Sequence, residues 1–346
     1  MISAAGGSMG PDSLEHGGRL AEARRHFVGA PEPFIDLSTG INPVSWPLPP
    51  WPPEAFTRLP EPGEEEALRE AAAAAYGVPA TGCVAAAPGT QLLIQLLPRL
   101  FPLPQLRILG PTYAEHAACW RAAGTVVREV AELEALDGPG GALLCNPNNP
   151  DGRRHAPAVL LALADRLAAR GGFLVVDEAF ADLEPEALGC ASALPHPGLI
   201  LLRSFGKSYG LAGLRLGFAL AAPARVAAIR AVLGPWAVSG PALAAGRAAL
   251  ADAPWRRAAA ARLEEEVVRL DARLAAAGLR VCGGTRLFRL AEGEAAFWHG
   301  RLGRAGILTR RFADMPHWLR FGLPGDPAAW ARLEQALDLR RDAGTV

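Results

Sequence analysis

Short apolar runs recur through the middle of the chain, separated by stretches rich in Ala, Leu and Arg. The apolar runs end in Gly, Pro or polar residues, which is typical of strands, whereas the stretches between them have helical spacing. The predicted strands cover residues 106–109, 142–145, 173–176, 199–203 and 214–220, and the clearest predicted helix covers residues 156–170. This alternation predicts an α/β fold, with a mostly parallel sheet and helices on both of its faces.

Unusual polar residues follow four of the predicted strands. The sequences at these points are GPTY, NPNNP, DEAF and SFGKSYG. In a parallel sheet the carboxyl ends of the strands meet along one edge, and ligands gather there. The sequence therefore predicts a site at this edge that contains Tyr113, Asn149, Asp177, Ser204 and Lys207.

Three regions can be separated along the chain. Residues 1–45 are predicted to form an N-terminal arm, residues 46–238 a large domain and residues 239–346 a small α+β domain. The Pro-Gly punctuation near residue 240 marks the second boundary. The proline-dense segment at residues 42–66 is predicted to wrap a surface without regular structure, because proline interrupts helices and sheets.

Composition excludes several classes of function. The 35 acidic and 35 basic residues cancel, and no run of basic residues indicates a nucleic-acid or anionic-membrane partner. No apolar run is long enough to cross a bilayer, and the N-terminus lacks the apolar core of a signal peptide. The five cysteines are scattered without CxxC spacing, so no metal site is expected. We expect a cytoplasmic protein with reduced thiols.

Lys207 is the only lysine of the chain, since the other 34 of its 35 basic residues are arginines. A desolvated ε-amine can lose its proton and attack a carbonyl, which a guanidinium cannot do. Lys207 is therefore a candidate for Schiff-base chemistry, although a lone surface lysine is the alternative. Asp177 follows an apolar strand, where it could face a buried cationic ring nitrogen or simply cap a helix.

A phosphate-binding pattern accompanies the lysine. Gly89, Thr90 and Gln91 open a predicted helix, and the free N–H groups at a helix start bind phosphate readily. Ser204 and Arg215 flank the lysine with a hydroxyl and a guanidinium. Together with an amine and an acid, these groups are typical of a site for a phosphorylated aldehyde.

The stretches NPNNPDG, DEAF and SFGKSYGLAGLRLGF, in this order and spacing, resemble the fold-type I pyridoxal-phosphate enzymes, especially the histidinol-phosphate aminotransferase branch. The resemblance implies that pyridoxal 5'-phosphate bonds to Lys207, that Asp177 pairs with its ring nitrogen and that Asn149 bonds its ring oxygen. By the same resemblance Tyr113 stacks on the ring. The phosphate would be held by Ser204, Arg215 and the amides of Gly89, Thr90 and Gln91.

Within that branch, HGGRLAEA and PFIDLSTGINP are similar to the threonine-phosphate decarboxylases of cobalamin biosynthesis. This similarity implies that Arg320 binds the substrate carboxylate, for which a planar guanidinium is well suited. Either Arg310 or Arg311 would bind the substrate phosphate, with a solvated strand face as the alternative for each. The residues expected near the substrate from the N-terminal stretches are His16, Gly17, Gly18 and Asn42; for His16 the alternative is an incidental place in the arm.

Two departures from the aminotransferase pattern accompany this similarity. Phe180 stands where those enzymes usually have a tyrosine that donates to the ring oxygen. Leu59-Pro60 stands where they have the Tyr-Pro of an arm that reaches the partner subunit's cofactor phosphate. Neither change removes a group that imine formation requires, but both weaken the inference of an aminotransferase.

The sequence thus predicts a homodimeric enzyme that decarboxylates a small phosphorylated amino acid, L-threonine O-3-phosphate, to (R)-1-aminopropan-2-ol O-2-phosphate. An aminotransferase of the histidinol-phosphate type is the alternative, since it would use the same cofactor residues. A non-catalytic ligand sensor is disfavoured, because the residues before the arm are too few and too uncharged to form a DNA-binding domain.

Overall fold

The computed structural model describes residues 16–184 and 189–338. Its largest element is a seven-stranded sheet with the strand order β2-β8-β7-β6-β5-β3-β4. The strands are β2 (Val84–Ala87), β3 (Gln105–Leu109), β4 (Val126–Val130), β5 (Gly141–Cys145), β6 (Leu174–Asp177), β7 (Leu199–Ser204) and β8 (Gly217–Ala221). Only β8 runs antiparallel to its neighbours in this sheet. The predicted mostly parallel sheet is therefore confirmed.

Alternation along the central strands explains why the sheet is covered on both faces. Leu143 and Val175 point into one apolar cluster, whereas the next residues, Leu144 and Val176, point into another. Successive side chains of a strand face opposite sides, so a strand buried on both faces is apolar at every position. The predicted strands at 106–109, 142–145, 173–176 and 199–203 agree with β3, β5, β6 and β7 to within one residue at each end.

The last predicted strand begins later than expected. A single 3-10 turn occupies Ala212–Leu214, and Arg215 has the left-handed backbone conformation with φ of 56°. Strand β8 therefore begins at Gly217 rather than at residue 214. Strands β2 and β4 were not predicted, because β2 is mainly alanine and β4 contains exposed residues.

Helices cover the sheet and form much of the rest of the chain. They are α1 (Leu20–His26), α2 (Glu54–Thr57), α3 (Pro62–Tyr76), α4 (Thr90–Leu100), α5 (Ala114–Ala122), α6 (Pro157–Ala168), α7 (Phe205–Ser208), α8 (Pro223–Leu233), α9 (Gly240–Ala251), α10 (Ala253–Ala276), α11 (Ala295–Arg304) and α12 (Pro327–Leu337). Helix α6 confirms the predicted helix at 156–170.

The proline-dense segment is more regular than predicted. It contains α2 and the start of α3, so the expectation of no regular structure over residues 42–66 was wrong at its end. Helix α3 begins with Pro62 at its first position, where proline costs no hydrogen bond. Glu61 and Glu64 complete a capping box at the same end.

A second, smaller sheet follows in the C-terminal part. It has the order β12-β13-β10-β9 and is antiparallel, with β9 (Arg280–Thr285), β10 (Phe288–Glu292), β12 (Arg310–Arg311) and β13 (Trp318–Gly322). Beside it, β1 (Ile35–Asp36) of the arm pairs in parallel with β11 (Ile307–Leu308). The arm is thus joined to the second lobe, whose core contains Leu37 and side chains of α10, α11 and α12.

The predicted domain division at residues 238 and 239 stays a prediction, and residues 1–15 and 339–346 of the outer regions lie outside the described residues. Helix α9 follows the division and buries side chains in the core of the large sheet. Helix α10 buries side chains with the second sheet. Among the described helices, none has the length and apolarity needed to cross a membrane.

Candidate active site

Lys207 lies on the one-turn helix α7, directly after strand β7. Burial lowers the pKa of its amine below the ordinary value, and Arg320 and Arg215 lower it further, whereas Asp177 opposes the change. The Nζ atom lies 4.9 Å from the centroid of the Phe180 ring. A buried amine with a lowered pKa is suited to nucleophilic attack on a carbonyl.

Asp177 ends strand β6 and is 5% exposed. One of its oxygens accepts from the backbone N–H of Ala179 at 3.0 Å, and the other lies 2.8 Å from Nε2 of His116. The Asp177 carboxylate does not cap a helix among the described elements, because β6 is followed by turns. The carboxylate is therefore held rigidly at the sheet edge, as the ring-nitrogen interpretation requires.

His116 was missed by the sequence reasoning. Burial lowers the pKa of His116, but hydrogen bonds to Asp177 and Cys145 outweigh it and raise the pKa to about 10. His116 is therefore a cation at neutral pH and pairs with the Asp177 carboxylate. A signal was present, since His116 stands three residues after Tyr113, the residue that precedes α5, and the two rings lie 5.9 Å apart.

His116, Cys145 and Asp177 form a compact buried cluster, with their ligand-type atoms within 4.8 Å of one another. Cys145 is the partner of Asp177 in the β5–β6 register. The Cys145 sulfur also accepts from the Thr112 hydroxyl at 3.1 Å. Because the His116–Asp177 separation has hydrogen-bond length, the cluster is a hydrogen-bonded support for the carboxylate.

The start of helix α4 forms a cradle for an anion. Gly89 precedes the helix with a φ of 83°, which favours glycine. A Cβ atom at Gly89 would lie 2.7 Å from Nη2 of Arg215, so the guanidinium lies directly over the glycine backbone. Thr90 and Gln91 are the first residues of the helix, where N–H groups have no intrahelical partner. Ser204 pairs with Gly217 in the register of β7 and β8. A Cβ atom at Gly217 would lie 2.6 Å from the backbone nitrogen of Thr90, so this pair lies beside the start of α4.

Tyr113 is connected to the N-terminal arm through a chain of polar contacts. Its hydroxyl donates to Gln91 Oε1 at 3.1 Å, and Gln91 Nε2 donates to Glu115 at 3.0 Å. Glu115 in turn pairs with His16 at 2.9 Å. Next to His16, the N–H of Gly18 donates to the Ser38 hydroxyl at 2.8 Å. The structure thus brings His16 and Gly18 to the same edge as Tyr113.

Arg320 connects the second lobe to this edge. Its guanidinium donates to the side-chain oxygen of Asn149 and, at 2.8 Å, to the backbone carbonyl of Ser38. The Nε atom of Arg320 is buried without a protein partner. The guanidinium also stacks over the Phe288 ring, 4.9 Å from the centroid. A buried guanidinium with unused donor capacity is suited to bind a carboxylate.

Arg310 lies opposite Arg320 in the β12–β13 register. Arg310 and Arg311 line a cavity of about 360 Å³ between the arm and the second lobe, and His16 and Ser38 line it from the arm side. The cavity also contains His299, whose pKa is lowered to about 4 by burial, with help from Arg311. The cavity therefore combines arginines with a neutral histidine, a composition suited to an anionic ligand.

Asn42 lies behind the lysine. It is 2% exposed, and both atoms of its side-chain amide are engaged with protein groups, Ser208 among them. Its predicted contact with substrate stays a prediction. Every other predicted site residue lies at the sheet edge or lines the adjoining cavity.

These residues fit the cofactor that the sequence resemblance implies. The Lys207 amine can bond an aldehyde, and the buried Asp177 carboxylate can pair with a pyridine nitrogen. The glycine cradle beneath Arg215 can hold a phosphate. The closeness of Arg215 to the Gly89 Cβ position is the most specific observation, since a side chain there would fill the cradle. The arrangement can therefore bind a phosphorylated aldehyde and present an amino acid's carboxylate to Arg320.

Comparisons with known proteins agree with this geometry. The profile of the family described as aminotransferase class I and II matches residues 54–337. A threonine-phosphate decarboxylase from Pseudomonas aeruginosa is 47% identical over 328 residues, which cover 94% of this chain and 97% of that protein. A threonine-phosphate decarboxylase from Sinorhizobium sp is 48% identical with the same coverage. The crystal structure of histidinol-phosphate aminotransferase from Sinorhizobium meliloti in complex with pyridoxal-5'-phosphate superposes with a TM-score of 0.80 at 23% identity, covering 96% of this chain and 97% of that one.

Proposed function

The chain belongs to the aminotransferase class I and II family, and on this basis we propose that it is a pyridoxal-phosphate enzyme that decarboxylates L-threonine O-3-phosphate to (R)-1-aminopropan-2-ol O-2-phosphate. The reaction is a step of cobalamin biosynthesis. The observation that carries the proposal is the full-length likeness to two threonine-phosphate decarboxylases. The cofactor residues alone would serve an aminotransferase equally well.

Each cofactor residue has a role in this proposal. Lys207 would bond the aldehyde carbon of pyridoxal phosphate, Asp177 would pair with its ring nitrogen and Asn149 would donate to its ring oxygen. Tyr113 would stack on the ring. The phosphate would be held by Ser204, Arg215 and the backbone amides of Gly89, Thr90 and Gln91. When bound, pyridoxal phosphate supplies an electron sink for the electron pair that remains after CO2 leaves.

The protein's own groups then perform the proton chemistry and the orientation. The His116 cation pairs with the Asp177 carboxylate, which would hold a proton on the ring nitrogen. The Lys207 amine would return a proton to Cα of the substrate. Arg320 would hold the substrate carboxylate and so orient the bond from Cα to the carboxylate, rather than the bond to hydrogen, for cleavage.

The substrate's phosphate is assigned to the cavity beside Arg320. Arg310 and Arg311 line this cavity, and His16 and Gly17 line it from the arm side. Phosphate recognition by arginine is charge-assisted and directional, which suits a small substrate with two anionic groups. A carboxylate site at Arg320 suits an amino-acid substrate, and the cavity beside it would take the substrate's phosphate.

We further propose that the enzyme is a cytoplasmic homodimer. Phe56, Leu59 and Trp236 are 67%, 66% and 55% exposed. Phe56 and Leu59 lie in and after α2, and α2 touches the start of α9 at Gly240, close to Trp236. Exposed large apolar side chains are suited to pack against a second subunit. Sedimentation of the wild type and of Phe56→Asp tests this, because a dimer that uses this surface dissociates in the variant.

The decisive experiment follows CO2 and the cofactor together. The purified enzyme is incubated with threonine phosphate, and products are identified by mass spectrometry. We expect one aminopropanol phosphate for each CO2, with the cofactor recovered as the aldehyde. Accumulation of the amine form of the cofactor without CO2 would overturn the decarboxylase and support the aminotransferase.

A further inference from the structure

The turn that carries Lys207 is held by the N-terminal part of the chain as well as by its own short helix. Helix α7 has four residues, and the carbonyls of Phe205 and Gly206 accept the N–H groups of Tyr209 and Leu211. Among the next four carbonyls, from Lys207 to Gly210, that of Lys207 accepts a long bond of 3.4 Å from the N–H of Gly210. A one-turn helix leaves most of its carbonyls to outside partners, and those partners help to determine where the turn lies.

Four donors from residues 42–46, at the end of the arm and the first residue after it, reach these four carbonyls in order. The N–H of Asn42 donates to Lys207 at 2.8 Å, and its side-chain amide donates to Ser208 at 2.9 Å. The N–H of Trp46 donates to the carbonyl of Tyr209 at 2.9 Å. The Ser45 hydroxyl donates to the carbonyl of Gly210, also at 2.9 Å. The arm therefore acts as a template for the lysine turn.

The close approach of the two segments requires a glycine. A Cβ atom at Gly210 would lie 2.7 Å from the carbonyl oxygen of Asn42 and 2.8 Å from Cα of Ser45. Gly210 also has a φ of 67°, which side-chain-bearing residues rarely adopt. The turn and the arm are thus built for direct backbone contact.

Helix α10 fixes the arm from the opposite side. Arg262 donates to the side-chain oxygen of Asn42 at 2.7 Å, and the N–H of Val44 donates to the same oxygen at 3.1 Å. At the start of the helix, Asp252 accepts from the indole of Trp46 at 3.1 Å. Two points of the arm are therefore tied to α10.

The amide of Asn42 has one orientation that satisfies all of these groups. Its oxygen faces two donors, so its nitrogen must face the Ser208 carbonyl. Arg262 supplies the stronger of the two donors, because its bond is charge-assisted. Without Arg262 only the weaker bond from the N–H of Val44 would orient the amide oxygen.

We propose that Asn42 and Arg262 are positioning residues for Lys207: Arg262 fixes the amide of Asn42, and Asn42 fixes the turn that carries the amine. This deepens the proposed function, on which it rests only in taking Lys207 as the reacting amine. It also gives Asn42 a role that does not involve contact with substrate.

The single lysine allows a direct test in the full-length chain before cofactor is added. An amine-acylating reagent at a fixed, mildly alkaline pH modifies one side chain, and peptide mass spectrometry separates it from the chain's α-amine. The variants are Asn42→Asp and Arg262→Ala. The carboxylate introduced by Asn42→Asp would keep the bonds from Arg262 and Val44 but could not donate to Ser208. The control is Arg273→Ala, on the same helix, since Arg273 pairs with Glu334 and not with the arm.

We expect acylation of Lys207 to be about tenfold faster in both variants, because the turn opens more often, and within about twofold of wild type in the control. In the holoenzyme we expect kcat to fall and KM for threonine phosphate to change little. If Arg262→Ala does not fold, Asn42→Asp alone tests the proposal, because the new carboxylate still accepts a hydrogen bond from Arg262.

Unchanged acylation in a folded Asn42→Asp variant would overturn the proposal. A raised KM with unchanged kcat would also overturn it and would assign Asn42 to the substrate. Acylation does not depend on which reaction the enzyme performs. If wild type releases no CO2 yet the acylation rates differ as expected, the proposed reaction fails and the positioning role stands.

Discussion

His116 lies 2.8 Å from the carboxylate of Asp177, and both side chains are buried. Burial lowers the pKa of His116, but its bonds to Asp177 and Cys145 raise it to about 10, against an ordinary value of 6.5. The pair therefore places a fixed cation behind the carboxylate that we propose pairs with the cofactor's ring nitrogen. The first prediction concerns this cation.

His116→Gln should reduce stability at neutral pH by about 3 kcal/mol, because it leaves a buried carboxylate without its charged partner. In the wild type this contribution is complete below pH 6.5 and is lost as pH rises through about 10, since the folded state binds the proton more tightly. Urea denaturation of both proteins across that range measures the difference. Equal pH dependence in the two proteins would show that His116 is neutral.

Lys207→Ala should abolish turnover and leave the fold intact, because the phosphate cradle and Asp177 lie on other elements. Borohydride reduction of the wild-type holoenzyme should place the cofactor on the Lys207 peptide alone. The variant should still bind pyridoxal phosphate, but reversibly. Full activity in the variant would refute a covalent role for Lys207.

Arg320→Lys should raise KM for threonine phosphate at least about tenfold, with cofactor affinity nearly unchanged. Lysine keeps the charge but loses the planar fork that binds a carboxylate with two parallel bonds. Steady-state kinetics and a cofactor titration measure the two effects. Arg304→Lys, at an exposed position of α11, is the control and should behave as wild type. A wild-type KM in Arg320→Lys would move the carboxylate site elsewhere.

Gly40→Ala should destabilise the protein by about 1–3 kcal/mol, the usual effect of overpacking a core. The added Cβ would lie 2.9 Å from both the Phe180 and Phe288 rings, which are buried and pack edge to face. Gly63→Ala is the matched control, because nothing lies within 4 Å of its Cβ position in α3. Thermal melts should show a loss for the first variant and none for the second. Equal melting temperatures would contradict the packing described for Gly40.

Local pattern was sufficient to predict five of the seven strands of the large sheet and the polar residues that follow four of them. A strand buried on both faces needs an apolar run, and a parallel arrangement brings the ends of such runs to one edge, whatever path the chain takes between them. Tyr113, Asp177 and Lys207 could therefore be assigned to one site from the sequence alone. The single lysine indicated a role as the reacting amine, because arginine cannot replace a nucleophilic amine.

The tertiary structure decided which side chains support that site. His116 and Asp177 are separated by 61 residues, and Arg262 and Asn42 by 220, so no periodicity links either pair. Asn42 was predicted near the substrate, but the packing of the arm against α10 brings its amide to the lysine turn. Such contacts depend on how whole elements pack, because a hydrogen bond is decided by atomic positions that local sequence does not determine. The sequence thus predicted the chemistry of the site. The groups that hold it in place could be identified only from the packing of the arm, the sheet edge and α10 in the tertiary structure.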